Sequence, residues 1–122
     1  TIGSEPEERW DKPSVIVMGE GNYSDAHCFP CAYKALNIGE TVGMPVPGTC
    51  TAVWWETLQD GETIFGIPEV GMVSNLNPNR YMENMQLEPD HKVSIDPLSA
   101  VRGRDLQIEK AVEVLMQGFN KK

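Results

Sequence analysis

Val15-Ile16-Val17-Met18-Gly19-Glu20-Gly21-Asn22-Tyr23-Ser24-Asp25-Ala26 is the stretch on which the reading of the fold turns. Its first four residues are apolar and mostly β-branched, the composition of a short buried strand. Two glycines and an asparagine then loosen the chain, and residues 25–37 read as a helix. Strand, turn and helix together put Ser24 at a corner, with its hydroxyl exposed and free backbone N–H groups beside it. An acyl-transfer nucleophile needs that geometry, because its developing oxyanion must find donors already in place. On local sequence alone the competing reading is that Ser24 caps the helix. His27, three residues on, shares a helical face with Ser24, which would allow a Ser–His contact. Without an orienting acid of its own it reads instead as a polar first-turn residue.

Working outward, Ala26, Phe29, Tyr33 and Leu36 form one apolar stripe. Pro30 lacks an N–H and crowds the preceding turn, so the regular helix is expected from about Phe29, after a looser turn over residues 24–28. Gly39 is the expected left-handed stop. Strands are then expected at 41–44, 51–56 and 62–66, the last two joined by an Asp60-Gly61 turn. Between the first two, Pro45 and Pro47 exclude a sheet interior and give a stiff loop suited to a functional rim. A weak strand at 71–73, a turn at 74–79, a strand at 93–95 and a helix at 105–117 complete the pattern. That helix would bury Ile108, Ala111, Val112 and Leu115 and stop at Gly118. There is no internal repeat.

The chain has 122 residues, enough for one domain, with 40% hydrophobic residues and a formal net charge of -8. The acidic excess argues against nucleic acid as a partner, since phosphate binding needs clustered Lys and Arg. It also argues against a basic membrane-surface helix, and no apolar run approaches the length of a span. No export signal is visible at the start. Three cysteines do not make a disulfide framework. Cys28-Phe29-Pro30-Cys31 offers a thioredoxin-like redox pair at a helix start, but the preceding βαβ unit is missing, and two small packing residues explain it better. Cys50 reads as packing. His91, beside Asp90 and Lys92, reads as solvated. No set of ligands has metal-site spacing, and neither metal nor cofactor is expected.

Taken together, Gly21-Asn22-Tyr23-Ser24-Asp25-Ala26 resembles the nucleophile motif of the tail-specific, or C-terminal processing, serine peptidases of family S41. The likeness is nearer to the tricorn-like branch, in which aspartate follows the serine. It continues through Phe29-Pro30, Tyr33-Lys34-Ala35-Leu36, Ile38-Gly39-Glu40-Thr41-Val42-Gly43, Glu83-Asn84, Leu87-Glu88-Pro89-Asp90 and Gly103-Arg104-Asp105, in order. The resemblance implies an α/β fold of crotonase/ClpP type, a mixed sheet with flanking helices, incomplete as a lone fragment. Residues 1–13 would be a linker and 14–122 the C-terminal part of the catalytic domain. Ser24 would be the nucleophile, the Asp25 N–H an oxyanion donor, and Glu83 the acid that orients a general-base histidine through a second serine. That histidine and serine would come from a missing N-terminal half, so this fragment alone would be inactive. Pro47, Gly48 and Thr49 would line the substrate cleft. Lys34 is too near Ser24 for a Ser–Lys dyad. The implied partners are a peptide or protein substrate, the N-terminal half and further copies in a homo-oligomer, and export or a periplasmic location is slightly favoured over the cytoplasm. Two rival readings are a non-catalytic half-domain that associates with itself or a partner, and a C-x-x-C redox module.

Overall fold

The computed structural model describes Trp10 and residues 12–119, so most of the expected linker over residues 1–13 lies outside the described residues. The architecture is α/β. Strand β1 (Val15–Met18) leads into α1 (Asp25–Ala35), which returns to β2 (Glu40–Gly43) beside and parallel to β1. Strand β7 (His91–Lys92) pairs parallel to the other side of β2, giving the order β1-β2-β7. Two antiparallel hairpins project between β2 and β7. One joins β3 (Thr51–Thr57) to β4 (Ile64–Gly71), the other β5 (Val73–Ser74) to β6 (Asn77–Tyr81). Helices α2 (Pro97–Val101) and α3 (Leu106–Phe119) follow.

Alternation along β2 sends successive side chains to opposite faces. Val42 packs on one face with Ala111 and Val114 of α3, flanked by Val15 and Val93. Thr41 serves the other face, where it is fully buried and meets α1. Its N–H and hydroxyl both donate to Asp90 Oδ2 at 2.8 Å, and Lys34 of α1 pairs with Asp90 Oδ1. Burial alone would raise the Asp90 pKa, but the hydrogen bonds from Lys34 and Thr41 and the nearby ammonium charge hold it below its ordinary value. Lys34 is thus a structural cation. His91 pairs with Glu40 instead of standing free in solvent.

Several expectations give way to packing. Helix α1 is regular from Asp25, so there is no loose first turn before Pro30. Proline leaves the Ala26 carbonyl without its helical donor, and the Asn22 side-chain amide supplies one at 2.8 Å. The buried face of α1 is His27, Pro30, Cys31 and Tyr33, while Phe29 and Leu36 of the expected stripe are exposed. Asn37, at φ 52°, is the left-handed stop, with Asn37 N–H donating to Lys34 O and Ile38 N–H to Tyr33 O. Gly39 is small for another reason: a Cβ there would lie 2.5 Å from Ser14 O and closer still to the Tyr33 hydroxyl. The expected turn at 74–79 contains the start of β6, and the expected strand at 93–95 is displaced to β7. Helix α2, opened by Asp96 accepting from Ser99 N–H and by Pro97 at its first position, was not expected. Helix α3 runs past Gly118 and buries Ala111 and Val114, leaving Ile108 and Val112 exposed.

Candidate active site

Ser24 stands where β1 has ended and α1 begins, at φ 55° and ψ −118°. Positive φ is unfavourable for a residue with a Cβ, by about 1–3 kcal/mol, and persists only where surrounding contacts fix it. Its hydroxyl makes no cap hydrogen bond, so the capping reading fails and the oxygen is uncommitted among the described residues. The corner is braced from within. Asn22 Oδ1 accepts from Gly19 N–H at 3.2 Å while its amide nitrogen donates to Ala26 O, tying the end of β1 to the first turn of α1. The Ser24 carbonyl accepts from His27 and Cys28 N–H at 2.8 and 3.1 Å. No partner for the Asp25 N–H is found among the described residues.

The loop of residues 44–50 comes back against this corner. Its Val46 forms a two-way backbone bridge with Leu87, and the Gly48 carbonyl accepts from Asn84 N–H at 2.7 Å. A Cβ on Gly48 would lie 2.0 Å from Met85 N, so only glycine permits this approach. The contact delivers Glu83 to the loop: its Oε2 accepts from Cys50 N–H at 2.8 Å and from the Thr51 hydroxyl at 2.7 Å. Thr49 Oγ1 in turn accepts from Ser24 N–H at 3.2 Å. A cleft of about 290 Å³ is lined by Tyr23, Ser24, Thr49, Thr51, Pro68 and Glu83, together with Val53 and Gly66 of the first hairpin. Of the residues singled out in the sequence, Ser24, Thr49 and Glu83 therefore share one cleft. Pro47 is exposed and Gly48 packs against the 84–85 backbone, and neither lines it.

Two features of the site differ from the expectations drawn from its residue types. Cys28 is bonded to Cys50 and Cys31 is a buried free cysteine, so the C-x-x-C pair is not a dithiol couple. The disulfide fastens α1, one turn beyond Ser24, to the residue whose N–H holds Glu83. Sequence reasoning missed it because the partners are 22 residues apart. His27 is in the first turn of α1, as expected, but fully buried and engaged: its Nδ1 accepts from Thr49 N–H at 3.1 Å. Burial lowers its pKa, and the Glu83 carboxylate works in the opposite sense. Among the described residues no cluster of three or more His, Cys, Asp or Glu is placed to hold a metal, and no helix is long and apolar enough to cross a membrane.

Fold and site define an α/β segment that carries a strained serine corner facing a held carboxylate. The sequence model for peptidase family S41 matches residues 2–93, and the chain belongs to that family. No curated protein sequence matches it. Among solved structures it is similar to the tricorn protease, at 21% identity and a TM-score of 0.78, covering 88% of this chain and 10% of that one. It is also similar to mature CPAF, at 19% identity and a TM-score of 0.68, covering 90% and 20%. A third likeness is to a candidate peptidase from Parabacteroides merdae, at 20% identity and a TM-score of 0.69, covering 88% and 33%. At these identities the likeness is one of fold, and the chain spans a tenth to a third of the lengths of the proteins it resembles.

Proposed function

We propose that this chain is the nucleophile-bearing part of a serine endopeptidase of the tricorn-like branch, with residues 14–122 its C-terminal catalytic segment. One observation carries the reading: an uncapped Ser24 hydroxyl on a strained corner shares a cleft with Glu83, whose carboxylate holds the loop that contacts Ser24. The Ser24 hydroxyl attacks a peptide carbonyl, the amine leaves, and water releases the resulting acyl group from Ser24. The Asp25 N–H receives the oxyanion. The proton of Ser24 passes to a histidine outside these 122 residues. In support, both histidines of the chain are engaged elsewhere, His27 with Thr49 and His91 with Glu40. Glu83 orients that histidine through an intervening hydroxyl. The chain by itself is then a very poor catalyst, since a positioned base contributes roughly 10²–10⁴-fold. The Cys28–Cys50 bond favours an oxidising compartment, hence export or the periplasm.

Exposed Trp54, Trp55, Phe65 and Ile67 on the first hairpin favour association as a second property, with another copy of the chain or with the complementary segment of the same domain. Sedimentation over a range of concentrations reads it, and a monomer at every concentration counts against self-association. For the peptidase reading the test is Ser24→Ala in the intact protein. Peptide hydrolysis should fall at least ~10³-fold with the unfolding midpoint retained. Unchanged hydrolysis by a folded Ser24→Ala protein would end the assignment.

A further inference from the structure

We propose that His27 is a positioning residue for Ser24, acting through Thr49. This rests on the peptidase reading of Ser24. Three hydrogen bonds close a ring. Ser24 N–H donates to Thr49 Oγ1 at 3.2 Å, Thr49 N–H donates to His27 Nδ1 at 3.1 Å, and His27 N–H donates to Ser24 O at 2.8 Å. The ring thus grips Ser24 on both sides of its α-carbon. Its N–H fixes φ and its carbonyl fixes ψ, and these two angles set where the hydroxyl stands.

The carbonyl belongs to the same rigid peptide plane as the Asp25 N–H. Holding Ser24 O toward the helix therefore holds the Asp25 N–H pointing the opposite way, as an oxyanion donor must be held before reaction. A serine at φ 55° has no intrinsic preference for this geometry, so the constraint must come from its surroundings. Of the three ring members, only His27 is wholly buried in the protein interior, 1% exposed, which anchors the circuit to the core.

The circuit demands one protonation state. Nδ1 must present a lone pair to Thr49, so the ring is neutral with its proton on Nε2. Burial favours that neutral ring. The ionisable groups around it are the Glu83 carboxylate, which opposes neutrality, and Arg80, Tyr81 and Cys31, which line a cavity of about 120 Å³ beside the imidazole. A second proton on His27 sets N–H against N–H, drives Thr49 away and frees the Ser24 amide. Peptidase activity then carries an acid limb that belongs to positioning, separate from the titration of any general base.

The test uses the intact protein. His27→Leu removes the acceptor, Thr49→Val removes the hydroxyl that follows it, and His27→Asn keeps an acceptor close to the Nδ1 position. His27→Leu and Thr49→Val should each lower kcat by about ten- to a hundredfold with KM changed less than threefold, the scale of a reacting group misplaced by up to about 1 Å. The double variant should be no worse than either single one, because both break the same ring. His27→Asn should recover most of kcat and lose the acid limb. Wild-type kcat in folded His27→Leu, or additive losses in the double variant, would overturn the proposal. Where His27→Leu does not fold, imidazole ¹⁵N NMR of the wild type at pH 7 decides: a proton on Nε2 supports the ring and a proton on Nδ1 refutes it. Ser24→Ala separates the two readings. If it hydrolyses like wild type the peptidase assignment is lost, whereas if it is inactive and the His27 variants are not, only the positioning role is lost.

Discussion

The layer of β1, β2, β7 and α3 and the arm of β3 to β6 both carry many apolar side chains, yet they bury very different amounts of them. In the layer, Val42, Ala111 and Val114 are shut away from water. In the arm, none of residues 51–81 is buried, and Trp54, Trp55, Phe65, Ile67 and Val70 stand exposed. The β1–β2 pair is covered by α1 and α3, whereas the first hairpin packs only its own two strands together and the second reaches α1 through β5 alone, and an isolated two-stranded ribbon has little stability in water. The difference teaches where the site sits. Ser24 comes from the covered layer and Glu83 from the chain leaving the exposed arm, and the 44–51 loop with its disulfide joins them.

The largest expected effect lies at that junction. Cys50→Ser should lower stability by about 3 kcal/mol, the scale for a disulfide closing a loop of roughly twenty residues. Urea midpoints should show it, and the wild type in reductant should match the variant. Equal midpoints with and without reductant would mean the two regions are joined by packing alone. Next is the layer itself: Val42→Ala should cost about 2 kcal/mol, since it opens a cavity at a fully buried site.

Acid should erode the layer and the junction in two steps. The His27 pKa is lowered in the folded state, so below its ordinary value near 6.5 the unfolded chain takes up a proton that the folded one refuses, and stability falls as pH drops. The Asp90 pKa is also lowered, so its contribution is complete above its ordinary value near 3.8 and is lost only as pH falls further. Thermal midpoints across pH 7.5 to 3 should therefore decline first through the His27 window, and His27→Asn should flatten that first decline alone. A single drop confined to the most acid pH would remove His27 from the account. The smallest effect is expected in the arm. Trp54→Ser should change stability by no more than about 0.5 kcal/mol. A loss matching that of Val42→Ala would show that the arm is covered after all, and would erase the contrast between the two regions.

In both regions the legible parts are those whose signals are local. Val15–Met18 is a strand by composition, the Asp60-Gly61 turn follows from the backbone freedom of Gly61 at φ 72°, and the last helix follows from its period. Ser24 stood out as a candidate by its place between a strand and a helix, where local sequence alone offered helix capping as the rival and the longer family-like motif decided for the nucleophile. Helix α2 had a readable signal in Asp96-Pro97, an N-cap residue followed by proline at the first helical position, which the strand reading of residues 93–95 obscured. The face of α1 could not be read from its apolar residues, because His27, Pro30 and Cys31 are buried by what packs over them and Phe29 is not. The fate of Pro30 also depended on a donor outside the helix, Asn22.

Sequence alone determined that a short strand would break at a flexible turn before a helix, and that a serine would occupy the corner. It did so because backbone preference and apolar period act over a few residues. Only the tertiary structure decided that Glu83 reaches Cys50 and Thr51, that Cys28 joins Cys50, and that His27 faces Thr49. Those pairings link residues 22 to 33 positions apart, and nothing short of the folded backbone brings such groups within reach of a hydrogen bond or a sulfur–sulfur bond.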